Sequence, residues 1–129
     1  MLQPVAKTLQ FFAIAGIIFG VAELINASVP LYKIMTNTMV VVTADQRPNE
    51  LYYLTLFTIH TAIGLYSIIG GGIALYFNKE FANLGNKLKS LIVIFYPATI
   101  LICFFVGLPV SLWALYTWNK PEVKSIRSA

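Results

Sequence analysis

The sequence predicts an all-α fold: an integral membrane helical bundle with three transmembrane helices, the third long and Pro-kinked, and an interfacial helix or loop after the first. Two observations predict it. Of 129 residues, 58% are hydrophobic and only 11% charged, and the mean hydropathy is +0.76. Soluble domains carry about 25% charged residues. The apolar residues also gather into three runs, residues 8–27, 51–77 and 91–118. Each run reaches the roughly 20 residues that a helix needs to cross about 30 Å of hydrocarbon. The segments between them are too short to fold separately, so residues 1–129 read as a single polytopic membrane domain.

The first helix is expected over residues 8–28, beginning beside Lys7 and ending before Pro30, which biases the preceding residue away from helix. A basic residue ahead of an apolar run that ends in small residues around Ala27 also fits a cleaved signal peptide, which would leave two helices. The length of the run and the Glu23 inside it argue for retention. Residues 31–43 are too polar to span. At 100° per residue Leu31, Ile34, Met35, Met39, Val41 and Val42 share one helical face, opposite Lys33, Thr36, Asn37 and Thr43, as in a helix lying in the interface. The β-branched run Val40, Val41, Val42 fits an extended loop as well.

Pro48 and Asn49 close that segment, and the second helix is expected over residues 50–77. A turn containing Gly85 follows. The third run, residues 89–118, holds Pro97 and Pro109, each of which removes a backbone donor and kinks or interrupts a helix. It is longer than one crossing needs and too short for two, so a tilted, kinked helix and a broken one both fit. Trp113, Tyr116 and Trp118 near its end match the aromatic anchors of a bilayer boundary.

The net charge is +4, but all nine Lys and Arg residues lie outside the apolar runs. That is the pattern of bilayer-edge charge rather than of a nucleic-acid surface. Three crossings would put Lys7, Lys79, Lys87 and Lys89 on one side and Lys33, Arg47, Lys120, Lys124 and Arg127 on the other. Four against five gives the positive-inside rule only a slight lean, toward a cytoplasmic C-terminus.

Helical projection places the unusual residues. Ala13, Gly16, Gly20, Glu23 and Ala27 fall within about 80° of one another, and Tyr53, His60, Gly64, Ser67, Gly71 and Asn78 within about 60°. Tyr96, Thr99, Cys103, Gly107 and Ala114 make a looser third stripe. Gly16, Gly20, Gly64, Gly71 and Gly107 are thus candidate packing positions, since small residues let backbones approach in lipid. Glu23, His60 and Ser67 are the candidate membrane-embedded polar residues. Counted from the expected helix ends, Glu23 and His60 lie roughly 6 and 14 Å deep from the same side. Contact between them is permitted and not required; Asn26, Tyr53 and Ser111 are other candidate partners.

Chemistry has little to work with. The only histidine is His60 and the only cysteine Cys103. A bis-His haem within one chain is therefore excluded, and a metal would need Glu23, Cys103 or a second protein. No paired carboxylates, phosphate loop or nucleophile motif is present. No enzyme activity, metal or cofactor is expected. The stretch LPVSLWALYTWNKPEVKSIR resembles the ends of many small multi-pass bacterial proteins, which supports the membrane class alone; the expected location is a bacterial cytoplasmic membrane. The expected function is that of an accessory or structural subunit of a homo-oligomer or larger membrane complex, partnered by lipid and by other membrane subunits. The alternative is a small oligomeric proton- or ion-coupled transporter with Glu23 as titrating site and His60 as relay.

Overall fold

A computed structural model describes residues 2–36, 50–100 and 104–128, and among these the regular structure is entirely helical. The elements are α1 (Gln3–Thr36), α2 (Glu50–Ala82), α3 (Lys87–Thr99), α4 (Phe104–Trp118) and α5 (Pro121–Ser128). Two helices, α1 and α2, are long and apolar enough to cross a membrane. Residues 37–43 of the expected interfacial segment, and Cys103, lie outside the described residues.

Helix α1 does not stop before Pro30. It runs through the proline to Thr36, and Leu31–Thr36 forms its last turns. A proline removes one amide bond and bends a helix, but a long helix with tertiary support beyond that point continues past it. The support is visible: Lys33 Nζ stands 5.4 Å from the Tyr53 ring centroid of α2. The second helix likewise extends past residue 77, to Ala82. It ends in a left-handed turn at Leu84, φ 55°, where the Gly85 amide donates to the Glu80 carbonyl at 2.7 Å.

Helices α1 and α2 are antiparallel and meet in heptad steps. Asn78 Nδ2 donates to the Ala6 carbonyl at 3.0 Å. Seven residues along, Gly71 faces Ala13; seven further, Gly64 faces Gly20. This is the repeat of left-handed helix packing, and glycine at the contacts brings backbone against backbone. A methyl group on Gly20 would lie 2.7 Å from the Gly64 carbonyl oxygen, and one on Gly71 2.8 Å from that of Ala13.

Of the two forms that fit the third apolar run, residues 89–118, a kinked helix and a broken one, the structure has the broken one, so it is not a single long transmembrane helix. After Thr99 the chain leaves helical geometry at Ile100 (φ −85°, ψ 120°) and returns as α4. The two halves are folded against each other: Ser111 Oγ accepts the Ala98 amide at 3.1 Å. A methyl group on Gly107 would overlap the Pro97 carbonyl, so only glycine lets α4 approach there. With 13 and 15 residues, α3 and α4 are about 20 and 22 Å long, each short of a full crossing.

The fold-back gathers the core at one end. Leu2 just ahead of α1, Val5 and Leu9 of α1, Phe81 of α2, Val93 and Ile94 of α3, Ala114 and Trp118 of α4 and Val123 of α5 form one buried cluster. Ala13, Ala74, Tyr96 and Ile100 form a second, further along. Beyond the hairpin tip, among the described residues, α1 and α2 continue as a pair. Trp113 and Tyr116 are exposed as expected of anchors, whereas Trp118 is only 3% exposed and packs inside, because the hairpin turns that end of α4 onto α1 and α2.

The glycine contacts separate neighbours in sequence. Gly71→Ala should destabilise the fold by about 1–3 kcal/mol, the range for overpacking a close contact. Gly72, which has nothing within 4 Å of the position of an added methyl, should tolerate alanine or gain up to about 1 kcal/mol from helix propensity. Equilibrium unfolding in mixed detergent micelles measures both; equal effects would refute the α1–α2 register.

Candidate functional site: a Glu23–His60 pair between two apolar helices

The heptad register decides what meets Glu23. Three residues on from Gly20 in α1 is Glu23, and four back from Gly64 in α2 is His60. Their side chains meet, with His60 Nδ1 2.5 Å from Glu23 Oε2. The expected depth mismatch of about 8 Å shrinks to about 5 Å and changes sense, because α1 is longer than its proline implies. Glu23 lies 13 residues before Thr36 and His60 10 after Glu50, so the two are about 20 and 15 Å from the same end.

One proton lies between the pair, and whichever group carries it donates to the other. An imidazolium facing a carboxylate and a neutral imidazole hydrogen-bonded to the acid or its anion all satisfy both heteroatoms at that position. The ion pair and the neutral acid–imidazole pair carry no net charge, which avoids the isolated charge that is costly between apolar helices; the anion with a neutral imidazole keeps its charge and gains only the hydrogen bond. The pair is unequally covered: the Glu23 side chain is 13% exposed and that of His60 32%. Beside His60 the buried Thr61 hydroxyl has no hydrogen-bond partner among the described residues.

Of the other predicted residues, Ser67, Gly16 and Gly71 belong to a separate network nearer the core, while Gly20 and Gly64 meet beside the pair and Gly107 packs within the hairpin. Tyr96 rises from α3 into the notch between Gly16 of α1 and Gly70 and Gly71 of α2, where side chains would collide with its ring or hydroxyl. Its hydroxyl donates to the Ser67 carbonyl at 2.6 Å, and Ser67 itself is buried. Tyr66 Oη donates to Thr99 Oγ1 at 2.5 Å, and Thr99 Oγ1 donates to the Tyr96 carbonyl at 2.7 Å. Tyr66 falls off the helical stripe that singles out His60 and Ser67, and only the arrival of α3 beside α2 gives it a partner.

Of the residues weighed as partners for Glu23, Ser111 serves the hairpin and Tyr53 sits under Lys33. Among the described residues no cluster of three or more His, Cys, Asp or Glu is placed to hold a metal ion. The arrangement holds or transfers a proton between two side chains, and ties α1 to α2 while doing so.

A double-mutant cycle on Glu23→Leu and His60→Leu should return a coupling energy near the average of about 0.6 kcal/mol for polar pairs between apolar helices, with about 1.7 kcal/mol as the upper bound. Glu23→Gln should keep most of the stability, since an amide still hydrogen-bonds Nδ1. Strictly additive single-mutant losses in detergent unfolding would mean that the two side chains do not interact.

Comparison with protein-family models, with curated proteins and with solved structures gives no match, and the site is read from its own geometry.

Proposed function

We propose that the chain is a multi-pass integral membrane protein and a small accessory or structural subunit of a homo-oligomer or larger membrane complex. In this reading α1 and α2 cross the bilayer, and α3 and α4 form a re-entrant hairpin. The outward faces support the membrane setting. Phe11, Ile14, Ile18, Val21 and Ile25 of α1 are all exposed. The most apolar windows of α1 and α2 are only 28% and 17% buried. A core helix of a soluble protein hides such a window, and a helix apolar all round is stable at a surface only in lipid. The proposed location is a bacterial cytoplasmic membrane.

The observation that carries the subunit reading is the uncovered edge of His60. Its ring is paired with Glu23 at Nδ1, and the side chain as a whole is 32% exposed. Polar groups at membrane depth face protein or a water-filled cavity. Beyond the hairpin tip α1 and α2 have no third helix beside them among the described residues, so a helix of another subunit or a second copy is the natural cover.

Charge now favours one orientation. With a re-entrant hairpin, Lys7, Lys79, Lys87, Lys89, Lys120 and Lys124 share one end with the carboxylates Glu80 and Glu122, while Lys33 is at the other. The positive-inside rule then puts both termini in the cytoplasm. Reporters fused to either terminus should both read cytoplasmic, whereas three crossings would place them on opposite sides. In native-lipid particles taken without detergent, the wild type should run as an oligomer or with a partner, and His60→Leu should reduce that association. A monomer in both proteins would refute the subunit reading.

The Glu23–His60 hydrogen bond favours a second reading, proton- or ion-coupled transport through an oligomer. A pathway built on that pair requires Glu23 to exchange its proton, so Glu23→Gln should abolish pH-driven flux in proteoliposomes while assembly survives. Equal silence of the two proteins would remove this reading.

A further inference from the structure

We propose that the groove between α2 and α3 is a binding site for one phospholipid with an anionic head group. The proposal rests on the membrane reading above.

The groove has an apolar floor and walls and a basic mouth. One cavity of about 240 Å³ lies against Ala62, Ile63, Tyr66, Ser67 and Thr99. A neighbouring one of about 300 Å³ continues along Tyr66, Ile73, Ile92 and Phe95. At its inner end Tyr66 and Thr99 hydrogen-bond to each other, and Thr99 in turn to the Tyr96 carbonyl. Those hydroxyls are engaged within the protein, which leaves the inner end suited to a hydrocarbon chain rather than to a polar ligand.

Toward the basic end, past the residues that line the two cavities, stand two lysines. Tyr76 and Phe77 follow Ile73 by three and four residues on α2, the spacing that keeps neighbours on one face. Lys79 Nζ stands 5.2 Å from the Tyr76 ring centroid and Lys89 Nζ 5.2 Å from that of Phe77. On α3, Lys89 precedes Ile92 by three residues and Thr99 by ten, so the distance from basic mouth to inner end is about 15 Å. That is half of a hydrocarbon core about 30 Å thick, the depth of one leaflet. An acyl chain laid along Ile92 and Phe95 thus places its phosphate at the level of Lys79 and Lys89, where each lysine near the surface strengthens anionic-lipid binding about fivefold.

The test uses the full chain in lipid nanodiscs of equal phosphatidylglycerol and phosphatidylcholine, followed by native mass spectrometry of the lipids retained on release. The wild type should keep one phosphatidylglycerol in preference to phosphatidylcholine. Lys79→Gln with Lys89→Gln should lower that preference by about 25-fold. Ile92→Trp, which fills the groove, should remove retention of either lipid. Lys120→Gln with Lys124→Gln removes the same charge from the same end and should leave retention unchanged. Circular dichroism checks that each variant keeps its helix content, and a variant that loses it is replaced by Lys79→Ala with Lys89→Ala or by Ile73→Trp. Equal retention of the two lipids, or equal loss from both lysine pairs, would overturn the proposal while the membrane reading stands. Failure of the wild type to enter nanodiscs would overturn both.

Discussion

The close approach of α1 and α2 is the constraint on which the rest depends. Gly20 against Gly64 and Gly71 against Ala13 put the two backbones in direct contact, and a heptad spacing repeats the contact along both helices. Three consequences follow from one register. It brings Glu23 to His60, it leaves the notch at Gly16 and Gly70 that Tyr96 fills, and it sets Asn78 beside the Ala6 carbonyl. In lipid, hydrophobic expulsion supplies no force between apolar helices, so dispersion at such contacts and the hydrogen bonds beside them hold the pair together.

The hairpin depends on that notch. Its tip leaves helical geometry at Ile100, a residue only 1% exposed, and irregular backbone away from water is tolerated where protein surrounds it. Tyr96 and Ile100 fit against Gly16 because no side chain stands there. Pro97 and Ser111 complete the reversal: Pro97 donates no amide, the next amide at Ala98 goes to Ser111 Oγ, and Gly107 lets α4 lie against the Pro97 carbonyl. The same reversal turns a nearly balanced charge distribution into a one-sided one, since it carries Lys120 and Lys124 back to the end that holds Lys7, Lys79, Lys87 and Lys89.

Much of this was legible in residue types, and the missing part has a physical reason. Helical projection put Gly16, Gly20 and Glu23 on one face and His60, Gly64 and Gly71 on another, because a helix has a fixed period whatever surrounds it. Projection carries no information about axial offset between helices. Offset was reckoned from helix ends, and Pro30 marked an end that Lys33 over Tyr53 overrides. The reversal at Ile100 was equally hidden, since Pro97 and Pro109 fit a kink as well as a break and only packing against α1 and α2 distinguishes them. Tyr66 could not have been found from its own helix, because its partner Thr99 arrives on another.

The Glu23–His60 pair lies outside this economy of packing. The helices already meet at Gly20 and Gly64, one turn away, and an apolar pair there would hold them without removing charge from water. Replacing a buried ion pair by well-packed apolar residues is often neutral or stabilising. Stability alone therefore gives no reason for a carboxylate and an imidazole at this level, nor for leaving one edge of the imidazole uncovered. What the pair supplies that leucines would not is direction and a proton. It ties α1 to α2 at the register the glycines set, and it presents His60 outward at the level where α1 and α2 have lost the support of the hairpin. The uncovered edge concerns what lies beside this chain, and it is the physical ground of the proposed reading as one component of an assembly.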